Sequence, residues 1–213
     1  MKTDALIAAL AAEAAPVDAR RAERGFDARL AAGAVLVLLA ALLAFGVQRD
    51  LAHAATLPMF WVKVLAPAAI AIAAWLALRR LGHPGMRLGR TPVAALVPVA
   101  LLWMLAAGVL LSAAPGERLS LLLGRSSPAC ALGIAVLSLP AFWLALQACR
   151  QLAPTRLGLA GGAAGLFAGA VAASAYGLHC DEMGAPFVAI WYVLGIAIPA
   201  AVGACLGRRL LRW

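Results

Sequence analysis

Cys180 sits between His179 and the pair Asp181 and Glu182, in the segment Tyr176 to Tyr192, YGLHCDEMGAPFVAIWY. A thiol, an imidazole and carboxylates are the groups that hold zinc or more thiophilic ions, and a thiol is also open to oxidation. Neighbouring residues rarely bind one ion together, so the run is a weak metal signal by itself, and a second thiol from Cys130 would strengthen it. The candidate ligand set is therefore Cys130, His179, Cys180, Asp181 and Glu182. Three roles stay open for Cys130 and Cys180: small apolar packing residues, a structural disulfide, or a reactive pair that meets oxidants or soft metals. The four cysteines, Cys130, Cys149, Cys180 and Cys205, show no Cys-x-x-Cys spacing, which removes the zinc-knuckle and thioredoxin-type motifs.

The elements that must position these groups follow from composition. A chain of 213 residues with mean hydropathy +0.95 and 13% charged residues cannot cover a water-facing surface. It reads as an integral membrane protein, and its Ala-, Leu- and Gly-rich runs do not alternate as strands would. The expected fold class is all-α, a bundle of six transmembrane helices preceded by a short amphipathic helix. The six runs centre near Leu38, Ile70, Leu102, Leu139, Ala168 and Ile196, each about long enough to cross a bilayer.

Six crossings return the C-terminus to the side of the N-terminus. Fourteen of the eighteen basic residues fall on that side, among them Arg20, Arg21, Arg24, Arg29, Arg79, Arg80, Arg87, Arg90, Arg150, Arg156 and Arg208. The positive-inside rule then puts both termini in the cytoplasm, and the formal charge of +9 is topological, with no direct nucleic-acid partner implied. Cys130 and Cys180 face the opposite side, which in a bacterium is an oxidising periplasm. Cys149 and Cys205 lie near the cytoplasmic ends.

Two regions are expected, a cytoplasmic segment 1–28 and a membrane domain 29–213. In the first, Thr3 is a reasonable N-cap with Asp4 in the first turn, Leu6, Ile7 and Leu10 share one helical face, and Pro16 ends the helix. Its five acidic residues make it a poor signal peptide, so it is expected to stay attached. Lys63, one turn inside the second run, should snorkel to the outer interface, or else pair with Asp181 or Glu182. Trp61, Trp191, Tyr192 and Trp213 look like interfacial anchors. Pro58, Pro92, Pro128 and Pro186 suit helix starts, whereas Pro67, Pro98, Pro140 and Pro199 should kink their helices. Gly158, Gly161, Gly162, Gly165 and Gly169 form a face that another helix can approach, within the chain or in a homo-oligomer.

The sequence carries no P-loop, GxSxG or HExxH, and almost no ionisable groups inside the runs, which speaks against an enzyme or an ion-coupled pump. A small metal or solute transporter with an outer His/Cys loop is the alternative from another class, and a membrane oxidoreductase is a third.

The opening MKTDALIAALAAEAAPV, PMFWVK at Pro58 to Lys63, LAPTRLGLAG at Leu152 to Gly161, and YGLHCDEMGAPFVAIWYVLGI at Tyr176 to Ile196 together resemble the NrsF family, over nearly the whole chain. The resemblance implies a six-helix membrane anti-sigma factor of the bacterial inner membrane. Such a protein would hold an extracytoplasmic-function (ECF) sigma factor inactive and release it under oxidative or heavy-metal stress. The short N-terminal helix, with Thr3, Asp4, Leu6, Ile7 and Leu10, is expected to make the contact, as an unstable helix suits folding in a partner's groove. The resemblance also implies that Cys130 and Cys180 are the signalling cysteines. No cofactor is expected to be required, though the outer cysteines could take a thiophilic metal ion. Cys149 and Cys205 fall outside that pattern.

Overall fold

The computed structural model describes residues 3–13, 19–83, 85–152 and 154–212, with the backbone alone described at Leu6, Leu10, Glu13 and Ala19. Every regular element among them is helical: α1 (Thr3–Glu13), α2 (Ala19–Ala44), α3 (Leu51–Ala54), α4 (Pro58–Leu81), α5 (Thr91–Ser112), α6 (Arg118–Leu123), α7 (Ser127–Leu137), α8 (Leu139–Gln151), α9 (Leu157–Tyr176) and α10 (Ala185–Leu210). They make six stretches long and apolar enough to cross a membrane, because α6, α7 and α8 run on as one, Arg118–Gln151. The chain is thus a multi-pass helical bundle, as its hydropathy leads one to expect.

Helix starts follow the prolines. Pro58, Pro92, Pro128 and Pro186 stand in the first turns of α4, α5, α7 and α10, where a missing N–H removes no intrahelical bond. The deeper prolines divide: α4, α5 and α10 continue through Pro67, Pro98 and Pro199, whereas the fourth span splits at Ser138, two residues before Pro140. Buried Ser138 turns its hydroxyl back onto the Ala135 carbonyl at 2.6 Å, a local bond that competes with the helical ladder.

α9 lies at the centre, packed against α10, α4, α8, α2 and α7. Its glycines explain that position. A Cβ on Gly161 would collide with the Gly203 carbonyl and one on Gly165 with the Pro199 carbonyl, so the small-residue face is spent on α10 within the chain. α5 packs on the rim against α4 and α10, and Trp103 Nε1 donates to the Ala189 carbonyl at 3.0 Å.

Among the described residues α1 runs from Thr3, with Asp4 in its first turn. Thr3, Asp4 and Ile7 are exposed. Pro16, the side chains of Leu6 and Leu10, and Trp213 lie outside the described residues. The division expected at 28/29 falls inside α2, which is one continuous helix from Ala19.

Candidate functional site

The site lies at the end of the bundle away from the termini. α9 ends at Tyr176, whose carbonyl accepts the main-chain N–H of both His179 and Cys180 at 3.0 Å, curling the chain tightly into the loop before α10. That curl turns Cys180 inward, where it is 5% exposed. Cys130 stands just inside the start of α7 and has no exposed surface. The two side chains lie close enough to interact with each other, and both are free thiols. Residues 50 apart in sequence are thus brought into contact by the packing of α7 on α9 and α10.

Lys63 corrects an expectation twice. It is wholly buried instead of snorkelling, and it forms no carboxylate pair. Its Nζ donates to the main-chain carbonyl of Cys180 and approaches that of Glu182 at 3.4 Å. Loop carbonyls reach inward where the carboxylates point elsewhere, and a buried amine must find acceptors locally. The Glu182 carboxylate instead accepts the main-chain N–H of Arg125 at 2.6 Å. Gly124 permits that turn: its φ of +53° and its closeness to Phe187 leave no room for a side chain.

Tyr192 is also corrected. It is 1% exposed and packs inside, with its ring 6.3 Å from that of Tyr176, because its position on α10 faces the thiol pair and not the lipid boundary. Its hydroxyl is buried without a hydrogen-bond partner at normal geometry and interacts only loosely with the Cys180 sulfur. Trp61 and Trp191 are partly exposed and brace the loops, donating to the carbonyls of Ala55 at 2.9 Å and Leu122 at 3.0 Å.

The Cys180 thiol, in the loop outside the spans, holds its proton less tightly than an ordinary thiol. The chief cause is the hydrogen bond from Cys130; burial acts the other way, and the Glu182 main-chain N–H and the Lys63 ammonium add to the lowering. A cavity of about 620 Å³ has Cys180 in its wall, together with Phe45, Gln48, Arg49, Asp50, His179 and Asp181 among others. His179 turns aside to stack on Phe45, ring centres 5.2 Å apart, and Asp181 is exposed. His179, Asp181 and Glu182 therefore diverge from the two thiols, and among the described residues no three His, Cys, Asp or Glu side chains converge as a metal shell. What the arrangement offers chemically is a dithiol with one activated sulfur, open to a small oxidant or to an ion that two thiolates can hold.

At the opposite end, a cluster not foreseen from the sequence ties α2 to α4. Trp75 Nε1 donates to Asp27 Oδ1 at 3.0 Å, Arg79 lies 3.6 Å from Glu23 and 3.8 Å from Asp27, and His83 Nε2 lies 3.6 Å from Glu23. Arg79 also stacks over Trp75 at 5.5 Å. The available signal was the i, i+4 spacing of Trp75 and Arg79, matched by that of Glu23 and Asp27.

A family model described as "Negative regulator of sigma F" (NrsF) matches residues 10–213. The chain is 48% identical, over the full length of both, to a "Probable anti-sigma-F factor NrsF" from Azospira oryzae. It is 40% identical, again over the full length of both, to the "Anti-sigma-F factor NrsF" of Caulobacter vibrioides. No solved structure gives a significant match.

Proposed function

Since the chain belongs to the NrsF family of negative regulators of sigma F, a regulatory and not an enzymatic class, we propose that it is a membrane anti-sigma factor whose outer dithiol controls release. It would hold an ECF sigma factor through the N-terminal helix, in a bacterial inner membrane with both termini in the cytoplasm. What supports the first part is the full-length likeness to two anti-sigma-F factors, and what supports the orientation is the basic residues gathered beside the termini. α1, with Thr3, Asp4 and Ile7 exposed, suits a helix that completes its folding in a partner's groove. Leu6 and Leu10 are the proposed apolar contacts.

The observation that carries the sensing half is the contact between the Cys130 and Cys180 thiols beneath the cavity. Hydrogen peroxide entering there is attacked by the Cys180 thiolate, giving a sulfenic acid and hydroxide. Cys130 then displaces water to form the disulfide, and the peroxide has taken two electrons. A thiophilic ion bound by the two thiolates would act on the same atoms, with His179, Asp181 and Glu182 turned toward it only after rearrangement. The outer ends of α7, α9 and α10 would move in response. Switching the sigma factor from almost fully held to almost fully released needs the two states to differ in affinity by about 5.5 kcal/mol. Removing the first sixteen residues tests the reading: the truncated chain should reach the membrane and leave the sigma factor active without any signal, and continued repression would contradict it.

A further inference from the structure

We propose that Lys63 is a positioning residue of the thiol pair, and that it makes α4 the element through which the redox state of Cys130 and Cys180 reaches the N-terminal arm. The inference rests on the sensing reading above and adds the route.

Two observations on one helix carry it. At its outer end α4 presents Lys63, buried without exposed surface and bonded to the main-chain carbonyls that flank Asp181. At its inner end it presents Trp75 and Arg79, which hold Asp27 and Glu23 at the base of the arm. The sixteen residue steps from Lys63 to Arg79 span about 24 Å of one continuous helix. α4 also packs along α9, so it has a fixed surface to slide or turn against.

The two-state element is the loop that carries Cys180. In the dithiol state its Cys180 carbonyl is an acceptor for Lys63. Joining the two sulfurs covalently draws them well inside the separation of a hydrogen-bonded pair, so the Cys180 main chain must follow its side chain toward α7. Lys63 then has two courses. It can move with the carbonyl and pull α4, or it can lose the carbonyl, which leaves a buried amine short of acceptors and so drives α4 to a new position. Either course acts on the helix that grips Glu23 and Asp27. The grip is made of exposed ion pairs and one tryptophan hydrogen bond, an arrangement weak enough to be released by a small shift.

The route is testable without a sigma factor, which separates its failure from failure of the anti-sigma reading. The full-length chain in lipid nanodiscs is treated with hydrogen peroxide or with a reductant. Disulfide formation between Cys130 and Cys180 is followed by peptide mass spectrometry, and exposure of the arm by the rate of trypsin cleavage in residues 19–29. In the unaltered chain oxidation should change the cleavage rate at least severalfold. Lys63→Met should form the disulfide yet show one cleavage rate in both redox states, and Lys63→Arg, which keeps a cation and donors, should recover a redox-dependent rate. A Glu23→Gln/Asp27→Asn variant, altered only at the exposed inner end, should form the disulfide at the normal rate and also lose the redox dependence, which keeps the test decisive should Lys63→Met fold poorly. Equal redox dependence in the unaltered chain and in either the Lys63→Met or the Glu23→Gln/Asp27→Asn variant would overturn the proposal. So would an unaltered chain whose arm is cleaved at one rate in both states.

Discussion

Lys63 Nζ donates to the main-chain carbonyl of Cys180, joining α4 to a loop more than a hundred residues away in sequence. A lysine near the end of a transmembrane helix usually runs its amine out to the interface, but this one ends against a loop folded down over it. Replacing Lys63 by Met should therefore leave the Cys180 and Glu182 carbonyls short of a donor and cost about 1–3 kcal/mol. Thermal unfolding of the solubilised protein would register this as a fall of several degrees, and an unchanged midpoint would mean that the bond contributes nothing net.

Cys180 should react as an activated thiol. Its lowered proton affinity means that thiolate, the nucleophilic form, persists at pH values where a free cysteine with a pKa near 8.5 is mostly protonated. Alkylation of Cys180 by iodoacetamide, followed across pH 5.5 to 9, should thus show its midpoint below that of a model thiol. Cys130→Ala removes the largest cause of the lowering and should move the midpoint upward. A midpoint that ignores Cys130 would contradict the hydrogen bond.

The α9–α10 contact predicts a contrast between two glycines. Gly165→Ala would press a methyl into the Pro199 carbonyl and should destabilise the bundle by about 1–3 kcal/mol, through overpacking. Gly108 on α5 has open space around it, so Gly108→Ala should be neutral or gain up to about 1 kcal/mol from helix propensity. Melting temperatures of the two variants would separate the cases.

At the other end, Arg79→Ala should cost less than about 1 kcal/mol of stability, because its pairs with Glu23 and Asp27 are exposed and screened. Hydrogen exchange in residues 19–29 should nevertheless rise, since that turn loses its hold on α4. Unchanged exchange there would show that the ion pairs do not restrain the arm.

The six spans were legible from the sequence because a bilayer demands long apolar helices, and the prolines that start them carry a local signal. That Cys130 and Cys180 share the outer end was legible too, since counting the crossings separates them from Cys149 and Cys205 at the inner end. What the sequence did not disclose was the direction of side chains in the loop. His179, Asp181 and Glu182 follow Tyr176 in a tight curl that points them to three different surroundings, and nothing in their order specifies that. Tyr192 was misplaced for a similar reason: an aromatic near a span's end suits the interface, and only the packing of α10 on α7 shows that it faces inward. The Trp75, Arg79, Glu23 and Asp27 cluster depends on the close approach of two helix ends some fifty residues apart. Each of its members taken singly looked like an ordinary boundary residue.

The central claim is that a partner held at the membrane is released through Cys130 and Cys180. The most direct measurement is co-purification of a sigma factor with the full-length chain from membranes, with and without peroxide or cadmium, beside a Cys130→Ser/Cys180→Ser variant. The account predicts a sigma factor bound at rest to both proteins and lost on stress from the unaltered chain alone. Release from the double variant to the same extent would contradict it, as would the absence of any sigma factor at rest.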